Sequence, residues 1–177
     1  MRKIYPPSPE LLSNPVTGHL LILGSHDGLR WVLRYERMAV PQARARLLSS
    51  VEPGDPVFLY TTRGCFRNPT RDRGRVIGRG TARSRAARLT PPARVAGRSL
   101  PIGLSISIDQ LLPHGQGLVL ADLVDQLDAF PDSRTWSARM RRPILTLGPH
   151  DTRLIHLEFD RLPSHDVSLA DAASTYL

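Results

Sequence analysis

The densest chemistry in this chain lies in one stretch, Arg63-Gly-Cys-Phe-Arg-Asn-Pro-Thr-Arg-Asp-Arg-Gly74, followed at once by Arg75 and Arg79. Asp72 is the only acid among them. Guanidinium groups grip phosphate bidentately and stack on bases, so Arg63, Arg67, Arg71, Arg73, Arg75 and Arg79 read as a phosphate clamp. Exposed backbone amides of a glycine-bearing turn can join such a clamp, and Asn68 sits within it. The plain alternative is a solvated surface loop, which is also how Arg83, Arg85 and Arg88 read. Holding an unstacked nucleotide needs aromatic faces and polar groups as well as cations. Phe66, flanked by Cys65 and Arg67 in polar surroundings, has little core to join and is the best stacking candidate. Trp31, Tyr60 and Trp136 are the other aromatic candidates, and for the two tryptophans ordinary core packing competes.

Other chemistry is thinner. The histidines at 19, 26, 114, 150, 156 and 165 show no metal-ligand spacing, and one cysteine gives zinc little to bind. No metal and no cofactor are expected. His26-Asp27 resembles half a catalytic dyad and Cys65 a nucleophile, which keeps a small hydrolase or nucleotide-processing enzyme open as an alternative. No nucleophile elbow, P-loop, Rossmann fingerprint or His-Glu pair supports it. The expectation is therefore a binding protein rather than an enzyme. His150-Asp151 after Pro149 reads as a helix start.

Charge points the same way. The chain of 177 residues carries a formal net charge of +8, with a sequence pI near 10.9, which favours a polyanionic partner. Lys3 is its single lysine, so arginine supplies almost all of the positive charge. A genome-wide preference for arginine explains that ratio as well, but not the net charge. The hydrophobic share of 41% is enough for one domain with a real core. No apolar run reaches the ~18–20 residues of a membrane span, and no signal peptide is evident at the N-terminus, so a cytoplasmic protein away from membranes is expected. The lone Cys65 can form no internal disulfide.

The elements that must position these groups can be read from periodicity and turns. His19-Leu-Leu-Ile-Leu-Gly24 is a buried strand, and Leu29, Val32 and Leu33 continue it as a short helix with Asp27 placed to cap the first turn. Met38–Val40 is a further strand, and Gln42 to Ser50 a second helix. Val51-Glu-Pro-Gly-Asp55 is a turn. Pro56–Thr61 and Arg75–Ala82 are sheet strands, the second with glycines at bulges, and the arginine-rich loop joins them. Ala93–Ala96 and Leu104–Ile108, with a Gly97-Arg98 turn nearby, suggest a hairpin. Leu118 to Leu127 and Ser133 to Arg141 look helical, and Pro149 opens a last helix running to about Phe159. The tail beyond Pro163 is expected to pack loosely or not at all.

The order of strand, Ser-bearing turn, helix, Pro-Gly-Asp, apolar strand, loop and Val-Ile-Gly-x-Gly strand resembles the EVE domain. That domain belongs to the PUA-like superfamily, with the YTH, ASCH and SRA readers of modified bases. The residues that carry the likeness are Leu21-Ile-Leu-Gly-Ser25, Glu52-Pro-Gly-Asp-Pro-Val-Phe-Leu-Tyr60 and Val76-Ile-Gly-Arg-Gly80, and more weakly Trp136-Ser-Ala-Arg-Met-Arg-Arg-Pro143. The resemblance implies an α+β fold, a small curved and mostly antiparallel β-barrel flanked by short helices, spanning 19–162. Residues 1–18 would be an N-terminal extension and 163–177 a C-terminal tail. It implies a pocket for a flipped or modified base of DNA or RNA at the turn after the first strand, which falls here on Ser25, His26 and Asp27, with Trp31 following. EVE sequences carry a Lys-Ser-Glu-Pro type of stretch where this chain has Gly24-Ser25-His26-Asp27. A protein-interaction domain is the remaining alternative, and it would show an exposed apolar patch instead of a basic cleft.

Overall fold

The computed structural model describes residues 15–163 and 166–177; residues 1–14, most of the expected N-terminal extension, lie outside them, as does His165. Eight strands among the described residues are β1 (Gly18–Leu23), β2 (Arg37–Val40), β3 (Pro56–Thr61), β4 (Arg75–Ala82), β5 (Ala87–Val95), β6 (Arg98–Leu111), β7 (Leu118–Val119) and β8 (Ile144–Leu147). They form one curled sheet in the order β2-β6-β4-β3-β1-β8, with β5 added to β6 and β7 to β4. β1 and β3 run parallel, His19 opposite Val57 and Leu23 opposite Thr61, and every other ladder is antiparallel. Helices α1 (His26–Tyr35), α2 (Trp136–Arg139), α3 (Pro149–Asp160) and α4 (Leu169–Ser174) flank it. This is the α+β, curved and mostly antiparallel architecture with short helices that the resemblance implies, its barrel realised as a curled half-barrel sheet.

The central strands are apolar at nearly every position because both faces of the sheet are covered. Leu21, Val57 and Leu59 point into one core with Leu29, Val32, Leu104 and Tyr176. Leu20, Ile22, Phe58 and Tyr60 point into the other, with Leu120, Val124, Ile155 and Phe159. His19 is fully buried between these apolar neighbours, and its Nε2 lies 2.9 Å from Asp55 Oδ2. The same carboxylate oxygen accepts the Glu52 amide at 2.9 Å, so the Pro-Gly-Asp turn is tied to β1 as well as to β3. Gly80 marks the bulge foreseen in β4: the register shifts there, and any Cβ would collide with the Ser107 carbonyl oxygen.

Several expectations need correcting. Ser25, not Asp27, caps α1: its Oγ accepts from the Gly28 amide at 3.1 Å while its backbone is extended. Residues Gln42–Leu48 wind as a 3₁₀ helix rather than an α-helix. The leucine-rich segment from 118 begins as β7 and continues as 3₁₀ turns at Leu120–Asp122 and Val124–Gln126. Its Leu118, Leu120, Leu123, Val124 and Leu127 are all buried against the sheet, so one-turn pieces satisfy the helical spacing without a continuous helix. Residues 133–141 hold only the single turn of α2. β8, a buried run between Pro143 and Gly148, went unread. The tail is not loose: Ser168 caps α4, and Tyr176 is 2% exposed with its hydroxyl donating to the Leu112 carbonyl at 2.6 Å.

Candidate functional site

Ser25 leaves β1 in an extended conformation and starts α1, which puts it between two hollows. The larger share of apolar wall belongs to the first, a cavity of about 380 Å³ closed by Leu21–Leu23, Trp31, Met38, Ala39, Leu100 and Pro143. Ser25 and Arg98 are its polar side chains, and Val95 and Ala96 overhang it. A mainly apolar hollow with few polar groups is the ordinary form of a small-molecule or base site. The overhang is a two-residue hairpin turn: Val95 pairs with Arg98, and Ala96 and Gly97 both take positive φ, +48° and +77°. Positive φ at both central positions defines a type I′ turn, whose twist matches the strands it joins. Glycine adopts it freely, whereas Ala96 is strained there.

The second hollow, about 410 Å³, lies between Gly24–Asp27 and Gly64–Arg67. The loop forming its far wall is held by its own bonds. Arg63 donates from Nε and Nη2 to the Pro69 carbonyl at 3.2 and 2.7 Å, and the Asn68 carbonyl accepts the amides of Arg71 and Asp72. Arg67, at φ +60°, and Arg71 are exposed, and neither guanidinium has an ion-pair partner among the described residues.

The six arginines do not converge. Arg73 pairs with Asp122 at 2.7 Å, and Arg75 donates to the Gly117 carbonyl at 3.3 Å. Arg79 pairs with Asp160 at 2.6 Å and lies over the Phe159 ring, on the α3 face of the sheet. The aromatic candidates divide in the same way. Trp31 is half-buried and borders the cavity. Tyr60 is 3% exposed in the opposite core, where burial pushes its hydroxyl up to about 12 against the nearby Arg63, so it offers no face to a base. Trp136 packs edge-on against Phe130, also on the far face. Phe66 does find packing partners: its ring meets His26 at 5.5 Å, His114 at 4.5 Å and Tyr176 at 6.1 Å. Of the expected site, then, Ser25, His26, Asp27, Phe66 and Arg67 gather around the start of α1, with Trp31 one turn further on.

The enzyme alternative loses its nucleophile. Cys65 is 1% exposed, and burial, helped by Asp72, pushes its thiol up to about 12, so almost no thiolate exists at neutral pH. His26 Nε2 faces the Tyr176 carbonyl oxygen and must donate to it. Asp128, His150 and Asp151 bring three ligand-type atoms together, but their bonds are structural. Asp151, buried, accepts the amides of Asp128 and Ala129 at 2.8 Å each, and His150 Nε2 donates to the Gln126 carbonyl. His156 is tuned by its surroundings: burial, with Arg79 beside it, lowers it to about 4. Its Nδ1 accepts from Arg79 Nη1 at 3.3 Å, leaving Nε2 to carry the proton without a partner among the described residues.

Sequence reasoning missed the β5–β6 turn as a wall of the site, together with Arg98, Arg94, Arg30 and Arg34. The Gly97-Arg98 turn was visible as a turn. What it overhangs depends on the curl of the sheet, which no local pattern encodes.

No protein-family profile matches the chain, and no curated protein matches it. Solved structures do. The human THYN1 protein in complex with 5-methylcytosine containing DNA aligns with a TM-score of 0.54 at 11% identity, over 84% of this chain and 99% of that one. A protein of Rhodopseudomonas palustris aligns at 0.53 and 14% identity, over 86% and 99%. The DUF55 domain of human thymocyte nuclear protein 1 aligns at 0.52 and 12% identity, over 82% and 99%. At such identities the likeness shows the fold alone, a curled mixed sheet with a few short helices.

Proposed function

We propose that this chain is an EVE-type module that binds nucleic acid and receives one unstacked, modified base of DNA or RNA in the cavity beside Trp31. The observation that carries the reading is the cavity itself: a half-buried indole, a capping serine and an arginine converge on an apolar hollow of about 380 Å³. Stacking on Trp31 would offset the cost of unstacking, and Ser25, the Gly24 backbone and Arg98 would meet the base edges. Two further facts support it. A structural neighbour was crystallised with 5-methylcytosine containing DNA, and the net charge of +8 suits a polyanion. The buried, protonated Cys65 favours a reader over a hydrolase. We place the end of the module beyond residue 162, because α4 and Tyr176 belong to the core.

Fluorescence anisotropy with oligonucleotides carrying modified or unmodified cytosine or adenine, over a salt series, tests this. Binding should fall steeply with salt, and one modified base should be preferred. Trp31→Ala should weaken the preferred complex by about 1–3 kcal/mol, roughly 5- to 150-fold, and abolish the preference. Absence of binding at low salt would sink the reading.

A further inference from the structure

We propose that a groove walled by Arg30, Arg34 and Arg94, beside the cavity, carries the phosphodiester backbone of the strand that flanks the captured base. This rests on the base-reading proposal and names the track that the strand follows. The groove encloses about 750 Å³ and is bordered by α1, the end of β5 and the C-terminal segment. Arg30 and Arg34 are four residues apart and therefore share one face of α1. Arg94 comes from the strand opposite.

Three observations point to phosphates. First, all three guanidinium-bearing side chains are exposed, and among the described residues none has an ion-pair partner. Asp27 is the one acidic side chain in the lining, against three guanidinium groups. Secondly, Trp31, Val95 and Ala96 border both the groove and the cavity, so a chain lying in the groove reaches the base site across one shared ridge. Thirdly, most of the arginines in the alternative track are committed elsewhere: Arg63 to Pro69, Arg73 to Asp122, Arg75 to Gly117 and Arg79 to Asp160. Arg67 and Arg71 stay unpaired in that track, but Arg67 borders the second hollow, whereas Arg30, Arg34, which lies over the Tyr35 ring, and Arg94 border the groove that shares a ridge with the cavity. Deoxyribose and ribose strands share the phosphodiester chemistry, and the experiment separates them.

The test compares three variants of the whole chain on modified and unmodified single-stranded DNA and RNA of one sequence. The groove variant is Arg30→Ala, Arg34→Ala, Arg94→Ala. The charge-matched control is Arg134→Ala, Arg139→Ala, Arg153→Ala, exposed residues of the opposite side. The cavity variant, Ala39→Met, fills the hollow. The groove variant should weaken binding to every oligonucleotide alike, by about tenfold or more at low salt, and reduce the slope of log affinity against log salt by about 2. The control should keep the slope, and Ala39→Met should keep it while losing preference for the modified base. A groove variant indistinguishable from the control, while the native chain still prefers a modified base, would overturn the groove and leave the cavity standing. A native chain that binds no oligonucleotide overturns both. Whichever of DNA or RNA the native chain binds more tightly identifies the strand that the groove serves.

Discussion

Phe66 and Trp31 illustrate what separates a site residue from a packing residue. Both are half-buried aromatics beside a hollow, yet the Phe66 ring meets three rings, those of His26, His114 and Tyr176, whereas Trp31 meets that of Tyr35 and borders the larger apolar cavity. Phe66→Ala should therefore act on stability, costing about 1–3 kcal/mol in urea denaturation, and should leave base preference intact. Its role was illegible in the sequence because its partners lie far along the chain, at 26, 114 and 176. The closeness of Ser25 and Trp31, by contrast, was legible, since one lies on the turn after β1 and the other on the helix that the turn starts. His156 supplies a pH signature. Its ordinary value of 6.5 applies to the unfolded chain, and the fold lowers it to about 4, so the unfolded state binds the proton first. Stability is whole above about pH 6.5 and falls as pH drops towards 4. Melting temperatures at pH 7 and pH 5 should show the loss, and His156→Gln should flatten it.

At the scale of elements, the strands were readable and most of the short helices were not. β1 and β3 declare themselves as apolar runs because the sheet is covered on both faces, and the bulge in β4 is written in its glycines. The segment from Leu118 to Leu127 has helical spacing but lacks a capping side chain, and it folds as separate 3₁₀ turns pressed on the sheet. β8 is only four residues long, too short for alternation to show. The type I′ turn of the β5–β6 hairpin carries a strained Ala96 at a position that favours asparagine. Ala96→Asn creates the Asn-Gly pair that suits this turn and should stabilise the fold by up to about 1 kcal/mol, read as a higher denaturation midpoint with an unchanged slope.

Across the whole molecule, the C-terminal segment is part of the body of the fold. Tyr176 fills the core beside Leu29 and Leu104, bonds to Leu112, and receives a bond from His26 at its carbonyl. Deleting residues 167–177 removes that ring and should lower the melting temperature by roughly 5 °C or more, since burying one large side chain is worth about 1.5–3 kcal/mol. Composition hid this, because the segment is polar and only Ala172 and Tyr176 in it are buried. The net charge was legible from the start, but which arginines stay free was decided by which carboxylates and carbonyls the sheet brings near them. One feature also makes this chain convenient to study. Its single native thiol is sealed and protonated, and so should be nearly inert to maleimides. A cysteine introduced at the exposed Ser99, next to the hairpin turn, would then take a dye selectively, turning any movement of that turn during binding into an optical signal.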